Sequence, residues 1–292
     1  MDKDIVMDIS IEKILTGNAH NRCLSTYGPW TTMSLAHTLE TISVERSGNP
    51  PLGISFFFTD SCSSTMDLAW RLIENNIFPE WSSVLSLGQH HGRGQFRRAW
   101  ISDGGNLYAT MRLPNHLSCS AMTPMMLAMA VHITLRDLGI YSEFKWPNDI
   151  LVSRRKVGGI LVEKRDDNVI AGFGVNLFTS PSMDELNDPR ALPPGHLGEL
   201  GLSVSPLEIW PRMVQAVMDC MTSLSQGTQP ADLLKVLENS LAFMGETVVF
   251  KPHSAEEFQA VIQGLTETGG IRLKTVNGER TCHNGSLIPV VY

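Results

Sequence analysis

The apolar positions of this chain change period several times, and each change marks an element. Ile54-Ser55-Phe56-Phe57-Phe58 is a short continuous apolar run, as a buried strand requires. Ser64-Thr65-Met66-Asp67 then has the form of a capping box, and Leu68, Trp70, Leu72 and Ile73 supply the apolar face of a helix. Val84 to Leu87 predicts a short strand, and from Asn106 to Leu113 the residues Leu107, Ala109, Met111 and Leu113 alternate onto one face. Thr123-Pro124 reads as N-cap and first residue of a helix that runs to about Leu138 and stops at Gly139, with its methionines filling the core. Phe144 to Trp146, Ile150 to Val152, Gly159 to Glu163 and Val169 to Phe178 follow as strands joined by short turns, so the sheet is antiparallel or mixed.

From 180 to 201 proline, glycine and acidic residues predict a loop, and from Pro206 to about Leu241 the pattern is helical, restarted at Pro230. After Phe243 come five short β-rich runs, Thr247 to Phe250, Phe258 to Leu265, Ile271 to Val276, Arg280 to His283 and Leu287 to Val291, with Asn277-Gly278 as a hairpin signal. That spacing predicts a small barrel. The expected division is an N-terminal extension over 1–50, a main domain over 51–242 and a small β-domain over 243–292. The class is α+β, a mixed and mainly antiparallel sheet with helices packed on it.

Bulk properties narrow the function. A net charge of −7 argues against a general affinity for nucleic acid or anionic membranes. Met122 to Leu135 is too short and too broken by polar residues to span a membrane, and the acidic start carries no leader pattern. The five cysteines are scattered with no CxxC, which fits reduced thiols in a cytoplasm and no zinc site. No metal-ligand spacing surrounds His90-His91.

The chemistry concentrates in Gly88-Gln89-His90-His91-Gly92-Arg93-Gly94-Gln95-Phe96-Arg97-Arg98-Ala99-Trp100. Glycines allow close backbone approach, arginines offer a rigid fork of donors to phosphate or carboxylate, and Trp100 adds a large plate. A basic surface turn is the competing reading of this stretch alone. Three further pieces accompany it: Ser64-Thr65; Lys145-Trp146-Pro147-Asn148-Asp149 followed by Lys156-Val157-Gly158-Gly159-Ile160-Leu161-Val162-Glu163; and Gly172-Phe173-Gly174-Val175-Asn176.

In this order the four pieces resemble the biotin protein ligase family, over roughly 54–292. The resemblance implies a class II aminoacyl-tRNA synthetase-like ligase fold with a Src-homology-3-like tail and no N-terminal DNA-binding domain. It implies adenylation of biotin by ATP with Mg2+, then transfer to a lysine of a biotin carboxyl carrier protein. Arg93, Lys156 and Asp149 match the catalytic positions. Ser64, Thr65, Met66, Gln89, Gly92, Arg93, Gly94, Gln95, Lys156, Gly159 and Gly174 match positions that bind biotin. Arg93, Arg98, Trp100, Asn148, Lys156 and Asn176 match positions that bind ATP or the adenylate.

Two positions depart from the family pattern. Met66 stands where an asparagine is usual and Gln95 where an arginine is usual, which implies weaker biotin binding or faster loss of the adenylate. The alternatives are a lipoate-type ligase, whose glycine triplet is absent, and a non-catalytic biotin-binding or regulatory relative. A biotin-responsive repressor is disfavoured by the acidic N-terminal segment. A homodimer through a sheet edge is left open.

Overall fold

In the computed structural model, the described residues are 30–36, 41–47, 54–118, 122–186, 188–225, 230–253 and 255–290. Two sheets organise them. The larger has nine strands in the order β1-β2-β3-β4-β5-β9-β8-β7-β6. These are β1 (Trp30–Ala36), β2 (Thr41–Ser47), β3 (Phe56–Cys62), β4 (Ser83–Gln89), β5 (Leu107–Leu113), β6 (Glu143–Lys145), β7 (Asp149–Val152), β8 (Arg155–Arg165) and β9 (Asn168–Val175). All neighbours are antiparallel except β3 and β4. That one parallel pair exists because helix α1 (Thr65–Glu74) carries the chain back between them. The weakly patterned segment before residue 50 contributes the β1–β2 hairpin, which extends the sheet at the edge beside β3.

One face of the sheet is buried under α3 (Thr123–Asp137) and α4 (Pro206–Ser225), with Met125, Met126, Met129 and Trp210 in a large apolar core. α1 covers part of the other face through Leu68, Leu72 and Trp70, over Phe57, Val84 and Ile170. The short helix α2 (Asn115–Ser118) and α5 (Pro230–Asn239) complete the helices among the described residues. Local details differ from expectation in three places. Ser64 caps α1, its Oγ accepting from Met66 N at 3.3 Å, but Asp67 turns to Ser63 and Arg93 instead of closing the box. α3 begins at Thr123 itself, capped by Met122 without a side-chain bond. The 180–201 segment holds two 3-10 turns, Asp184–Leu186 and Leu197–Leu200.

The smaller sheet is antiparallel, in the order β13-β12-β11-β10-β14. Its strands are β10 (Thr247–Lys251), β11 (Phe258–Leu265), β12 (Ile271–Thr275), β13 (Gly278–Cys282) and β14 (Ser286–Pro289). Thr275 pairs with Gly278, so the hairpin loop is Val276-Asn277, one residue earlier than the Asn277-Gly278 signal, and Gly278 takes φ +110. No pairing among the described residues joins β13 to β14, so the sheet is open and the predicted barrel is not closed. It docks on the large sheet through Trp146, whose indole stacks near Phe250 and whose Nε1 donates to Gly269 O at 3.1 Å. Trp146 is thus a core residue of the junction, next to a cis bond to Pro147.

No helix among the described residues is long and apolar enough to cross a membrane. Cys62, Cys220 and Cys282 are free thiols. Cys23 and Cys119 lie outside the described residues.

Candidate active site

Register builds the site. Lys145 pairs with Asp149, Asp149 with Gly159, and Gly159 with Gly174, so four strands place these residues in one row across the sheet. Two residues further along, Leu161 pairs with Gly172 and Gly172 with Thr110 in a second row on the same face. The glycines leave both rows bare, and side chains from outside the sheet occupy the space. A Cβ on Gly174 would lie 2.6 Å from Trp100 Cε2, and one on Gly159 would lie 3.1 Å from its ring. A Cβ on Gly172 would lie 2.8 Å from Met66 Sδ. Gly159 and Gly174 therefore seat the indole of Trp100, and Gly172 seats the thioether.

Lys156 reaches this face through an irregularity. Ile150 pairs with Gly158 but Leu151 with Lys156, so Val157 is passed over as a bulge. Without it, Lys156 and Gly159 would point to opposite faces. With it, Lys156 Cε lies 3.8 Å from the Cβ position of Gly159, and Nζ lies 5.4 Å from the Trp100 ring centroid.

The loop after β4 folds into a tight hairpin. Trp100 N donates to Gly92 O and Gly94 N to Arg98 O, both at 2.8 Å, around a 3-10 turn at Gln95–Arg97. The amide of Gly94 is spent inside the loop and is not free to meet a ligand, contrary to expectation. At the tip Phe96, at φ +58, sets its ring edge-on to His253 of the small sheet, 4.1 Å between centroids.

Together these elements enclose a cavity of about 740 Å³. Of the residues singled out from the sequence, Ser64, Thr65, Met66, Gln89, Arg93, Gly94, Gln95, Arg98, Trp100, Asn148, Asp149, Lys156, Gly159, Gly174 and Asn176 all line it. Gly92 does not. It lies on the outer side of the loop, where a second hollow of about 650 Å³ is lined also by His90 and His91. His90 continues the strand pairing past Gln89, and its Nε2 is 2.8 Å from Ser61 Oγ. The small sheet closes the far wall with Lys251 and Ser286 to Pro289.

Thr65 and Gln89 of the cavity wall belong to a hydrogen-bonded cluster. Gln89 Oε1 accepts from Thr65 N at 2.8 Å and Thr65 Oγ1 at 3.2 Å, while its Nε2 donates to Ser102 Oγ at 3.0 Å. Thr110 Oγ1 donates to Thr65 Oγ1 at 2.9 Å. Cations also line the cavity, but most of that charge is already paired. Arg93 Nη2 lies 2.9 Å from Asp67 Oδ1 and its Nη1 3.3 Å from Glu163 Oε1. Glu163 also accepts from Trp70 Nε1 at 2.8 Å. Lys156 Nζ is 2.6 Å and Lys145 Nζ 2.9 Å from the two oxygens of Asp149. Burial pushes the Asp149 carboxyl up, but the two ammoniums outweigh it and hold it well below the usual carboxylate range. Arg98 is exposed at the mouth with no ion-pair partner among the described residues.

The charge of Arg93 is thus met by two carboxylates in this structure. Its guanidinium anchors the loop to α1 and β8. Asn148 and Asn176 are also tied, their Nδ2 groups donating to Ile160 O at 2.7 Å and Gly195 O at 3.0 Å. Two buried donors, Arg93 Nε and Trp100 Nε1, have no partner among the described residues. Asp67, Glu163, Ser102 and Lys145 were not assigned from the sequence. For Glu163 a signal was present, because Gly159, Leu161 and Glu163 share one face of β8 by strand alternation.

Residues 58–177 match the model of the Biotin/lipoate A/B protein ligase family. The chain is 34% identical over 148 residues to the bifunctional ligase/repressor BirA of Bacillus subtilis, covering 47% of this chain and 45% of that protein. It is 28% identical over 211 residues to the biotin–[acetyl-CoA-carboxylase] ligase of Paracoccus denitrificans, covering 68% of this chain and 85% of that protein. The chain thus spans less than half of the BirA relative and most of the Paracoccus one. In fold it is similar to the biotin protein ligase from Aquifex aeolicus solved with biotin and ATP, with a TM-score of 0.70 and 23% identity over 80% of this chain and 97% of that one. A biotin protein ligase from Leishmania major, solved with biotinyl-5-AMP, gives a TM-score of 0.54 at 19% identity over 78% of this chain and 98% of that one. In its residues 58–177 the chain carries a domain of the biotin/lipoate A/B protein ligase family.

Proposed function

We propose that the chain is an ATP-dependent ligase that adenylates biotin and transfers it to a lysine of a biotin carboxyl carrier domain. The observation that carries this reading is one cavity whose lining joins the neutral hydrogen-bonding groups of Ser64, Thr65 and Gln89 with the cations Arg93, Arg98 and Lys156. A neutral polar ring bearing a carboxylate arm and a triphosphate would meet complementary groups in it. The Paracoccus relative and the Aquifex neighbour, by their names, handle this substrate.

In the first step a carboxylate oxygen of biotin attacks the α-phosphorus of ATP, and the bond to pyrophosphate breaks. The two reactants are both anions, so a site must offset their repulsion. Lys156 is the mobile cation for this task, since it stands on the cavity face with its side chain 34% exposed. Arg98 at the mouth takes phosphate charge, while Arg93 holds the loop. Trp100 covers the adenylate against the Gly159–Gly174 seat. In the second step the acceptor amine attacks the adenylate carbonyl. An amide forms, AMP leaves with the electron pair of the broken C–O bond, and the amine proton passes to water. Asp149, held ionised, orients the incoming amine.

Mg2+ belongs to this reading as a companion of the phosphates. Asp149 is taken by two ammoniums and Asn148 offers a carboxamide oxygen, a donor set that suits an ion held chiefly by phosphate and water. The open five-stranded sheet is read as the Src-homology-3-like tail. The domain limits are read as 1–50 for an extension whose β1 and β2 join the main sheet, 51–242 and 243–292, and the compartment is the cytoplasm. Pyrophosphate release from ATP, measured with biotin and with lipoate in turn, followed by a mass shift on a carrier domain, tests the function. Release with lipoate alone would support the lipoate-type reading, and release with neither would remove the enzyme.

A further inference from the structure

Asp149 is gripped by two ammoniums of unequal access. Lys145 Nζ lies 2.9 Å from Oδ2, and its side chain is only 9% exposed. It is fixed by the direct pairing of β6 with β7 and flanked in sequence by the buried rings of Phe144 and Trp146. Lys156 Nζ lies 2.6 Å from Oδ1 on an arm about one-third exposed beside Trp100. Both lysines line the cavity, but Lys145 is almost fully buried there and Lys156 is the more exposed.

A buried carboxylate that loses its only counter-ion is strongly destabilised, so a lone Lys156–Asp149 pair would resist opening. The second ammonium changes this. When Lys156 turns to an anionic ligand, Asp149 keeps Lys145 and stays a carboxylate. Its Oδ1 is then free to accept a hydrogen bond from an incoming amine. We propose that Lys145 is a positioning residue that acts through Asp149, releasing Lys156 to the ligand and holding the carboxylate in place meanwhile. This rests on the ligase reading above, and it adds a residue to which that reading gives no part.

The test separates the two half-reactions in the full chain. Lys145→Met leaves Lys156 as the sole partner of Asp149. Biotin-dependent pyrophosphate release should then show a KM for ATP raised about tenfold, with the KM for biotin within about twofold of the parent. Lys145→Gln, which keeps a donor but no charge, should shift the ATP KM in the same direction by less, and serves if the methionine variant folds poorly. The decisive variant is Lys145→Met/Asp149→Asn. With no carboxylate to hold Lys156, its ATP KM should return to within about threefold of the parent, while transfer from preformed adenylate to the acceptor stays impaired. A merely structural lysine would give no such recovery. Unchanged ATP KM in Lys145→Met, or a double variant no better than the single, overturns the inference while the parent remains a ligase. A parent that releases no pyrophosphate with biotin overturns the functional reading and, with it, this inference.

Discussion

Trp100 stands on Gly174 so closely that a single added Cβ would meet its indole at 2.6 Å. The contact is to a large rigid ring, not to a flexible tip, so it cannot be relieved by a rotamer change alone. Gly174→Ala should lift Trp100 from the sheet at a cost of about 1–3 kcal/mol in overpacking. Tryptophan fluorescence should shift, and bound adenylate should dissociate faster. An unaltered spectrum and release rate would show that the seat tolerates a methyl group.

Gly172 differs in kind. Its neighbour is the thioether of Met66, which can move. Gly172→Ala should leave thermal stability within about 1 kcal/mol of the parent but push Met66 into the cavity and weaken biotin binding severalfold. Gly172→Ala/Met66→Ala should regain part of that affinity. Calorimetric titration with biotin measures both.

The pairing of Arg93 with Asp67 and Glu163 predicts a loop anchor. These groups are a quarter to a third exposed, so screening keeps their worth in global stability below about 1 kcal/mol. Locally the effect should be larger. Arg93→Met should speed tryptic cleavage within 92–100 while the urea midpoint barely moves. Equal cleavage rates would detach Arg93 from loop order.

Asp149 ties stability to pH. Its carboxyl is depressed by Lys145 and Lys156 against the opposing effect of burial. A depressed carboxylate stabilises the fold above its unfolded value of about 4 and loses that contribution as pH falls through the folded value. The parent should therefore lose stability steadily below about pH 4. Asp149→Asn should be less stable by about 3 kcal/mol at pH 7, since two ammoniums lose their partner, and its urea midpoint should depend less on pH in the acid range. Parallel acid curves would contradict the pairing.

Thiol reactivity follows burial. The Cys62 thiol is pushed up to about 12 and that of Cys220 to about 11, both by desolvation, whereas Cys282 is only partly buried. Among these three, labelling of the native protein at pH 8 followed by mass spectrometry should mark Cys282 and spare the others.

Much of this site was legible in the chain because its residue types carry their chemistry openly. Arg93, Lys156, Trp100, Gly94, Gly159, Gly172 and Gly174 line one cavity, whereas Gly92 and Gly158 do not. What the motifs did not carry was pairing. Whether Arg93 is free or bound depends on Asp67 and Glu163, seventy residues or more apart in the latter case, and only the register of β8 brings Glu163 into reach. The role of Trp146 was open for the same reason, because its partner Gly269 is distant in sequence. The β1–β2 hairpin escaped the periodicity argument because threonine and serine fill much of Trp30–Ala36 and Thr41–Ser47. At a sheet edge such residues satisfy strand geometry without an apolar stripe. The capping box at Ser64 had the right letters, but Asp67 is claimed by a stronger cationic partner.

Strands count in twos, and Val157 is the odd residue that shifts Lys156 to the other parity. Deleting Val157 would leave Lys156 opposite Leu151 in an unbroken ladder and keep its aspect, whereas straightening the strand at its present length would turn the lysine into the hydrophobic interior. The aspect of Lys156 is therefore set by the number of paired positions up to Gly159, which the identity of the side chains between them does not express.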